Sequence, residues 1–146
     1  MKMMMIGRIG SGKTTLIQSL LKQDINYRKT QAVGFCDHFV DTPGEYMENR
    51  RFFSALLATA GSCDAVSLIQ SASDFASSYP PNFAGMFNKP VLGIITKTDR
   101  DDADISRASK FLERAGIKTI YLTSAVSEKG IDEVRRICLP AEGAAL

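Results

Sequence analysis

Short, continuous apolar runs alternate along the chain with longer stretches in which apolar residues recur every three or four positions. The continuous runs predict buried strands over residues 2–6, 35–40, 65–70, 90–95 and 119–122. The periodic stretches predict helices over residues 13–22, 47–60, 102–115 and 131–139. Strands that are apolar throughout and alternate with helices favour a mostly parallel sheet that is covered on both faces. The pattern therefore predicts a three-layer α/β domain with a sheet of five to six strands.

Two of the predicted helices have a face on which the expected core residues can be named. In the helix over 47–60 these are Phe52, Phe53, Leu56 and Leu57. In the helix over 102–115 they are Ile105, Ala108, Phe111 and Leu112, and Gly116 is expected to end that helix. Residues 71–88 contain Pro80-Pro81 and many small residues, which predicts a loop with at most one helical turn.

The segment Gly7-Arg8-Ile9-Gly10-Ser11-Gly12-Lys13-Thr14 matches G-x-x-x-x-G-K-[ST] between the first strand and the first helix. Its glycines let the backbone approach a polyphosphate, and the loop amides and helix N-terminus point at the anion. Lys13 is expected to reach the β- and γ-phosphates, and the Thr14 hydroxyl to bind Mg²⁺. The alternative is a plain glycine turn. The nucleotide-binding candidates of this loop are Gly7, Arg8, Ile9, Gly10, Ser11, Gly12, Lys13, Thr14 and Thr15.

Two later segments bear on the choice between ATP and GTP. Thr96-Lys97-Thr98-Asp99 follows a predicted strand and resembles the [NT]-K-x-D base-recognition motif of the Ras-like GTPases. A carboxylate at Asp99 can accept hydrogen bonds from N1–H and N2–H₂ of guanine, which adenine does not offer. Leaving a buried acceptor unpaired costs about 1–3 kcal/mol, which disfavours adenine. Ser124-Ala125-Val126 resembles the S-A-x element whose alanine N–H contacts the guanine O6.

Asp41-Thr42-Pro43-Gly44 lies between the phosphate and base motifs, at the end of a predicted strand. It resembles the D-x-x-G switch of the same GTPases, in which Asp41 would hold a Mg²⁺-bound water and the Gly44 N–H would contact the γ-phosphate. Hard cations favour oxygen ligands of this kind. The alternative is an ordinary turn, since all four residues favour turns.

Composition narrows the class of protein further. The 146 residues are 45% apolar and 23% charged with a formal charge of +2, and contain no apolar stretch of about 20 residues. We expect a nucleotide-binding domain over 1–140 and a short tail over 141–146, with neither a membrane span nor a nucleic-acid partner. The arginine pairs at 50–51 and 135–136 are interpreted as solvated helix faces. The cysteines Cys36, Cys63 and Cys138 lack metal-ligand spacing, which is typical of reduced thiols in a cytoplasmic protein. The single histidine, His38, is interpreted as structural.

Together the four motifs resemble the Ras-like P-loop GTPases over nearly the whole chain. A narrower resemblance lies in Tyr27-Arg28-Lys29-Thr30-Gln31-Ala32-Val33 and in Asp41-Thr42-Pro43-Gly44-Glu45-Tyr46, with Glu48-Asn49-Arg50 after it. These segments resemble the EutP/PduV family, small P-loop proteins of bacterial ethanolamine and propanediol utilisation. The resemblance implies an association with bacterial microcompartments and with amine catabolism. It also implies GTPase activity, or an acetate-kinase-type activity that is attached to part of the family.

The chain departs from the Ras-like pattern in ways that bear on fold and rate. The interval from Thr30 to Asp41 is short, which implies a sheet trimmed at that edge; Thr30 is the candidate switch threonine for Mg²⁺, or else an ordinary loop residue. Glu45 occupies the position of the water-orienting glutamine, which implies slow hydrolysis, unless it merely begins the following helix. Ile9 is expected to obstruct an arginine finger, and Arg8 either acts in cis or points to solvent.

Three functions remain open from the sequence. The first is a guanine-nucleotide switch or slow GTPase with GTP or GDP and Mg²⁺, in which the catalytic candidates are Lys13, Thr30, Gly44 and Glu45 and the metal candidates are Thr14, Thr30 and Asp41. The second is a phosphotransferase that moves a phosphoryl group between ATP or another nucleotide and acetate or another acyl group. The third is a module that docks on a microcompartment shell or another protein of the same system, for which Phe52-Phe53 is a candidate contact.

Overall fold

The computed structural model describes residues 2–21, 34–35, 39–77 and 79–138. Within these residues the strands form one sheet in the order β2-β3-β1-β4-β5-β6. The strands are β1 (Met3–Ile6), β2 (Gly34–Phe35), β3 (Phe39–Asp41), β4 (Ala65–Ser71), β5 (Val91–Thr96) and β6 (Ile120–Leu122). All neighbours pair in parallel except β2 and β3, which are antiparallel. The predicted mostly parallel sheet is therefore confirmed.

The two central strands are buried on both faces, which explains why β1 is apolar throughout and β4 is mostly apolar. Every residue of β1 and of β4 is buried. Successive side chains point to opposite faces of a strand, so Met4 and Ile6 enter one core cluster while Met3 and Met5 enter the other.

Helices cover both faces of the sheet. Those of the described residues are α1 (Lys13–Leu20), α2 (Glu45–Glu48), α3 (Phe53–Ala60), α4 (Ile105–Arg114) and α5 (Ile131–Cys138), with 3₁₀ turns at Arg50–Phe52 and Phe83–Met86. Leu16 of α1 and Val134 of α5 are buried in the same cluster as Met3. Leu56 of α3 and Leu112 of α4 are buried in the opposite cluster. The three-layer arrangement is thus confirmed.

The prediction of one helix over residues 47–60 was wrong. Asn49 is extended, with φ −141° and ψ 119°, and separates α2 from the following 3₁₀ turn. Its side-chain oxygen accepts a hydrogen bond from the Arg51 N–H at 3.1 Å, so it caps the turn instead of continuing a helix. The break also changes the inward face, because Leu56 is fully buried whereas Leu57 is 41% exposed.

Helix α4 begins later than predicted, at Ile105. Asp104 is its N-cap and accepts a hydrogen bond from the Arg107 N–H at 2.9 Å. Ile105, expected to face inward, is instead exposed in the first turn. Gly116, with φ +98°, follows the helix as expected.

The strand predicted over 35–40 is replaced by β2 and β3, of which β2 has only two residues. Among the described residues this edge is therefore an antiparallel pair of short strands, and not the one strand that the brief interval before Asp41 predicted. Residues 36–38, with Cys36 and His38, lie outside the described residues, as does Lys22 at the end of the first predicted helix.

Arg135 contradicts its interpretation as a solvated residue. Its guanidinium donates to the carbonyl oxygens of Leu20 at 2.9 Å and Ser19 at 2.8 Å, and is also paired with Asp132. The carbonyls at a helix C-terminus lack partners within the helix. Arg135 of α5 therefore satisfies the end of α1 and joins the two helices that share one face of the sheet.

The connection between β4 and β5 is a loop with a single 3₁₀ turn, as predicted. Three of its aromatic residues, Tyr79, Phe83 and Phe87, are buried and cover the sheet where a helix would otherwise lie, whereas Phe75 is exposed. Phe53 joins them through an edge-to-face contact with Phe83 at 5.3 Å between ring centroids. Among the described residues no helix is long and apolar enough to cross a bilayer.

Candidate functional site

The glycine-rich loop joins the end of β1 to the start of α1. Gly10 has φ +83° and Gly12 φ +87°, conformations that favour glycine. Gly7 is needed for space, because a Cβ there would lie 2.5 Å from Ser11 Oγ and 3.1 Å from Ile69 Cβ. The loop is therefore tightly packed at the point where it leaves the sheet, and α1 begins at Lys13 directly after the loop.

Two side chains from the end of β5 hold this loop from the other side. The Thr96 hydroxyl donates to the Ser11 carbonyl oxygen at 2.5 Å, and Lys97 Nζ donates to the Gly10 carbonyl oxygen at 2.6 Å. Lys97 adopts φ +59°, a conformation that non-glycine residues seldom take. Such a backbone is retained where surrounding contacts enforce it.

Lys13, Thr14 and Asp41 meet at the carboxyl ends of β1 and β3. Lys13 Nζ forms an ion pair with one oxygen of Asp41, and the Thr14 hydroxyl donates to the other at 3.1 Å. The lysine side chain is only 5% exposed and that of Asp41 15%, so the pair is largely shielded from water. Shielding strengthens the mutual attraction of the two charges.

The segment after Asp41 lies directly against the glycine-rich loop. A Cβ at Gly44 would approach Ile9 N at 2.5 Å and Ile9 Cα at 2.8 Å. The Thr42 hydroxyl fixes the turn by donating to the Met5 carbonyl oxygen at 2.9 Å. Glu45 begins α2, and within the described residues its Oε2 is buried without a hydrogen-bond partner.

A cavity of about 110 Å³ opens between the glycine-rich loop and the Asp99 segment. Its lining is drawn from α1 and from the ends of β5 and β6: Gly12, Thr15, Leu16, Thr96, Lys97, Asp99, Thr123, Ala125 and Val126. Leu16 and Thr123 were not predicted to line it. Their positions in this cavity follow from packing between distant segments, which no local pattern reports.

Asp99 is oriented by the segment after β6. The Ser124 hydroxyl donates to Asp99 Oδ1 at 2.7 Å and accepts from the Ser127 N–H at 3.2 Å. Thr98 ties the same two segments together by donating to the Thr123 carbonyl oxygen at 2.9 Å. One carboxylate oxygen of Asp99 thus has a fixed partner, and this role of Ser124 was missed by sequence reasoning.

A second cavity, of about 610 Å³, lies on the other side of Asp99 along β6 and is larger than the first. It is bounded by residues such as Leu122, Lys129 and Glu133, and no residue of the glycine-rich loop reaches it. Of these two cavities among the described residues, the smaller one adjoins the phosphate-loop residues, so it is the candidate base site.

Not every predicted site residue joins this arrangement. Arg8 turns away from the loop interior and lies 3.9 Å from Asp74, with 40% of its side chain exposed. Val126 borders the cavity but is 80% exposed. Thr30 lies outside the described residues.

The oxygen atoms of Thr14 and Asp41 fit a small, hard cation. Nowhere among the described residues do three or more His, Cys, Asp or Glu side chains form a metal-binding group. Mg²⁺ is commonly bound through one or two protein oxygens, with water and phosphate oxygens completing its shell. The pair of Thr14 and Asp41 matches that mode and not a cage made wholly of protein ligands.

The glycine-rich loop at the carboxyl edge of a mostly parallel, three-layer sheet defines the protein as an α/β P-loop NTPase. The chain belongs to the PduV-EutP family, described as ethanolamine utilisation–propanediol utilisation, which it matches over residues 1–138.

Individual proteins are similar to this chain over most of its length. The propanediol utilization protein PduV of Citrobacter freundii is 40% identical over 134 residues, covering 91% of this chain and 89% of that protein. The probable acetate kinase EutP of Salmonella typhimurium is 37% identical over 118 residues, covering 77% of this chain and 72% of that protein. Translation initiation factor IF-2 of Rickettsia bellii is 27% identical over 158 residues, covering 92% of this chain but only 19% of that factor.

Proposed function

We propose that this protein binds guanine nucleotides with Mg²⁺ and acts as a slow GTPase or nucleotide switch in ethanolamine or propanediol utilisation. The observation that carries the proposal is the cavity between Gly12 and Asp99, which places a carboxylate and a phosphate loop on either side of one opening. A bound nucleotide would need both, the carboxylate for its base and the phosphate loop for its phosphates.

The base preference follows from donors and acceptors. Ser124 occupies one lone pair of Asp99 Oδ1, and the carboxylate keeps further acceptor sites. Guanine offers two donors along one edge to such an acceptor, whereas adenine would leave it unpaired. Lys97 already reaches the glycine-rich loop, so its alkyl stem lies where it can flank the base.

The phosphate end requires a rearrangement of charge. Lys13 is paired with Asp41. When a γ-phosphate and its cation bind, Lys13 would contact the phosphate, and Asp41 together with Thr14 would contact Mg²⁺. Gly44 packs on Ile9 at the edge of this site, so its segment is suited to respond to the γ-phosphate. Thr30 completes the proposed magnesium shell.

Slow hydrolysis follows from Glu45. A carboxylate in the position that orients water carries a negative charge toward the γ-phosphate and cannot donate a hydrogen bond while ionised. The proposed catalytic set remains Lys13, Thr30, Gly44 and Glu45. Ile9, packed on Gly44, restricts access for an arginine from a partner protein.

The pathway and location rest on the family. The relatives' names place one of them in propanediol utilization, and we extend the ethanolamine or propanediol context, with association to a microcompartment, to this chain. Phe52 and Phe53 are poor candidates for a docking patch. Phe52 is stacked on Tyr46 with 4.7 Å between centroids, and Phe53 packs against the core.

A nucleotide titration tests the proposal. Calorimetry of the wild type should show tighter binding of GDP than of ADP. Asp99→Asn should weaken GDP binding by about 1–3 kcal/mol, and XDP should recover part of the loss because an amide can donate to the 2-oxo group of xanthine. Asp101→Asn, an exposed carboxylate two residues away, is the matched control and should leave GDP affinity unchanged. Equal wild-type affinity for GDP and ADP would refute guanine selectivity.

An acyl phosphotransferase is the second candidate, favoured by the relative named as a probable acetate kinase. Phosphoryl transfer depends on positioning and charge more than on special residues, so the same phosphate loop would serve it. Acetyl phosphate formation from acetate with ATP or GTP distinguishes the two. Turnover that requires acetate would favour the kinase, whereas nucleotide hydrolysis that ignores acetate would favour the GTPase.

A further inference from the structure

A buried tyrosine hydroxyl lies beneath the start of the glycine-rich loop. Tyr79, 6% exposed, comes from the connection between β4 and β5. Its hydroxyl lies 2.9 Å from the Ile6 carbonyl oxygen and 2.6 Å from the Ile69 carbonyl oxygen. Ile6 is the last residue of β1, so its carbonyl belongs to the peptide that leads into Gly7.

One hydroxyl proton serves two carbonyl acceptors from neighbouring strands. Ile6 is paired with Leu68 in the β1–β4 register, and β1 ends there while β4 continues through Ser71. The hydroxyl therefore bridges the two strands at the point where the sheet gives way to the loop. Burial raises the pKa of Tyr79 above its ordinary value, which favours the protonated hydroxyl that the two carbonyl contacts require.

The tyrosine itself is held on every side. Its ring stacks on Phe83 with 5.6 Å between centroids, and Phe83 in turn contacts Phe53 of α3 and Phe87. The backbone of Tyr79 is fixed by the Ser77 hydroxyl, which accepts from its N–H and donates to its carbonyl oxygen, both at 3.1 Å. The hydroxyl is therefore a rigid support and not a mobile contact.

A second contact joins the same connection to the loop. Asp74 lies 3.9 Å from Arg8, the second residue of the glycine-rich segment. The pair is partly exposed, so its own contribution is small. Its position shows that the β4–β5 connection follows the loop from Gly7 outward, in the place where a crossover helix would be expected.

We infer that Tyr79 is a positioning residue for phosphate binding, because its hydroxyl fixes the peptide from which the glycine-rich loop departs. The inference rests on the proposed nucleotide-binding function and deepens it. Loss of the hydroxyl removes one donor from the Ile6 carbonyl and the bridge from it to the Ile69 carbonyl, which loosens the first peptide of the loop. Phosphate binding then weakens, while the base site around Asp99, supported from β5 and β6, keeps its geometry.

The test compares Tyr79→Phe with a control variant, Tyr121→Phe. The control also removes a tyrosine hydroxyl, but Tyr121 lies on β6 and packs against the core cluster that contains Met3. Displacement of a fluorescent GDP analogue gives the affinities of inorganic pyrophosphate, which needs only the loop, and of guanosine, which needs only the base site. Tyr79→Phe should weaken pyrophosphate binding by up to about tenfold, the limit reached if the energy of one hydrogen bond is needed to order the loop for binding. Guanosine should be unaffected, and Tyr121→Phe should change neither.

Amide hydrogen exchange of residues 7–12 in the nucleotide-free protein is the second measurement. Faster exchange in Tyr79→Phe, confined to this loop, supports the inference even if no nucleotide is bound, so failure of the proposed function is recognised separately. Unchanged loop exchange overturns the inference. An equal loss for pyrophosphate and guanosine does so too, since it would show a general loss of structure.

Discussion

Gly44 provides a sharp test of how closely the switch segment approaches the glycine-rich loop. Its backbone is helical, with φ −61° and ψ −33°, which alanine adopts readily. The obstacle is space, because a Cβ would lie 2.5 Å from Ile9 N, 2.8 Å from Ile9 Cα and 2.7 Å from Ile9 Cγ1. Two of these atoms belong to the backbone and cannot turn aside.

The magnitude follows from those distances. Real Cβ atoms essentially never come within 3.0 Å of another heavy atom, so the two segments must separate by at least about 0.5 Å. Overpacking of this kind costs about 1–3 kcal/mol. In a chain of 146 residues each kcal/mol lowers the melting temperature by roughly 2–4 °C. We therefore expect Gly44→Ala to lower the free energy of unfolding by about 1–3 kcal/mol.

Urea unfolding of the nucleotide-free protein measures this change. Gly85→Ala is the matched control, because a Cβ there meets nothing within 4 Å, and it should stay within about 0.5 kcal/mol of wild type. Adding Ile9→Ala to Gly44→Ala removes the Cγ1 contact but neither backbone contact, so only part of the stability should return. If Gly44→Ala proves as stable as Gly85→Ala, the close approach of the two segments is wrong.

The remaining predictions concern buried polar groups. Lys13→Ala should abolish binding of a fluorescent GTP analogue. In a double-mutant cycle measured by urea unfolding, Lys13→Ala and Asp41→Asn should show a coupling energy of about 0.5–3 kcal/mol, because the two side chains form a shielded ion pair. Strictly additive effects of the two substitutions would contradict that ion pair. Glu45→Gln should hydrolyse GTP about tenfold faster in single-turnover assays, since it removes a charge and adds a donor; a slower variant would instead mark Glu45 as a general base. Burial raises the pKa of the Cys63 thiol, so Cys63 in the native protein should react slowly with iodoacetamide, and rapid alkylation would argue against this burial. The contribution of the protonated thiol to the free energy of unfolding should be complete below the pKa of the thiol in the unfolded chain and should be lost as the pH rises through its pKa in the folded protein.

The sheet was predictable because its signal is local. Met3–Ile6 is apolar throughout and Ala65–Ser71 contains a run of mostly apolar residues, a pattern typical of strands covered on both faces. The motif order then indicated which strand ends meet, since parallel strands bring their carboxyl ends to one edge. That is why Lys97 and Asp99 could be assigned to the same side of the sheet as the glycine-rich loop.

The missed features depend on contacts between segments far apart in sequence. An Asn in a helical pattern costs little by propensity, so only the cap it makes to Arg51 reveals that Asn49 breaks the helix. Tyr79 lies in a loop without periodicity, and its partners Ile6 and Ile69 become apparent only when β1 and β4 are paired. Arg135 has the spacing of a surface residue and is distinguished only by reaching α1.

That contact between Arg135 and α1 bears on the order in which the molecule is built during synthesis. The guanidinium that satisfies the end of α1 lies 115 residues after the Leu20 carbonyl that it reaches. At a synthesis rate of roughly 5–20 residues per second, Arg135 is added to the chain about 6–23 seconds after Leu20. The helix behind the phosphate loop is therefore completed only when the last helix of the described chain emerges. A nascent chain truncated before Arg135 carries every residue of the glycine-rich loop, but the Ser19 and Leu20 carbonyls of its α1 lack the guanidinium of Arg135.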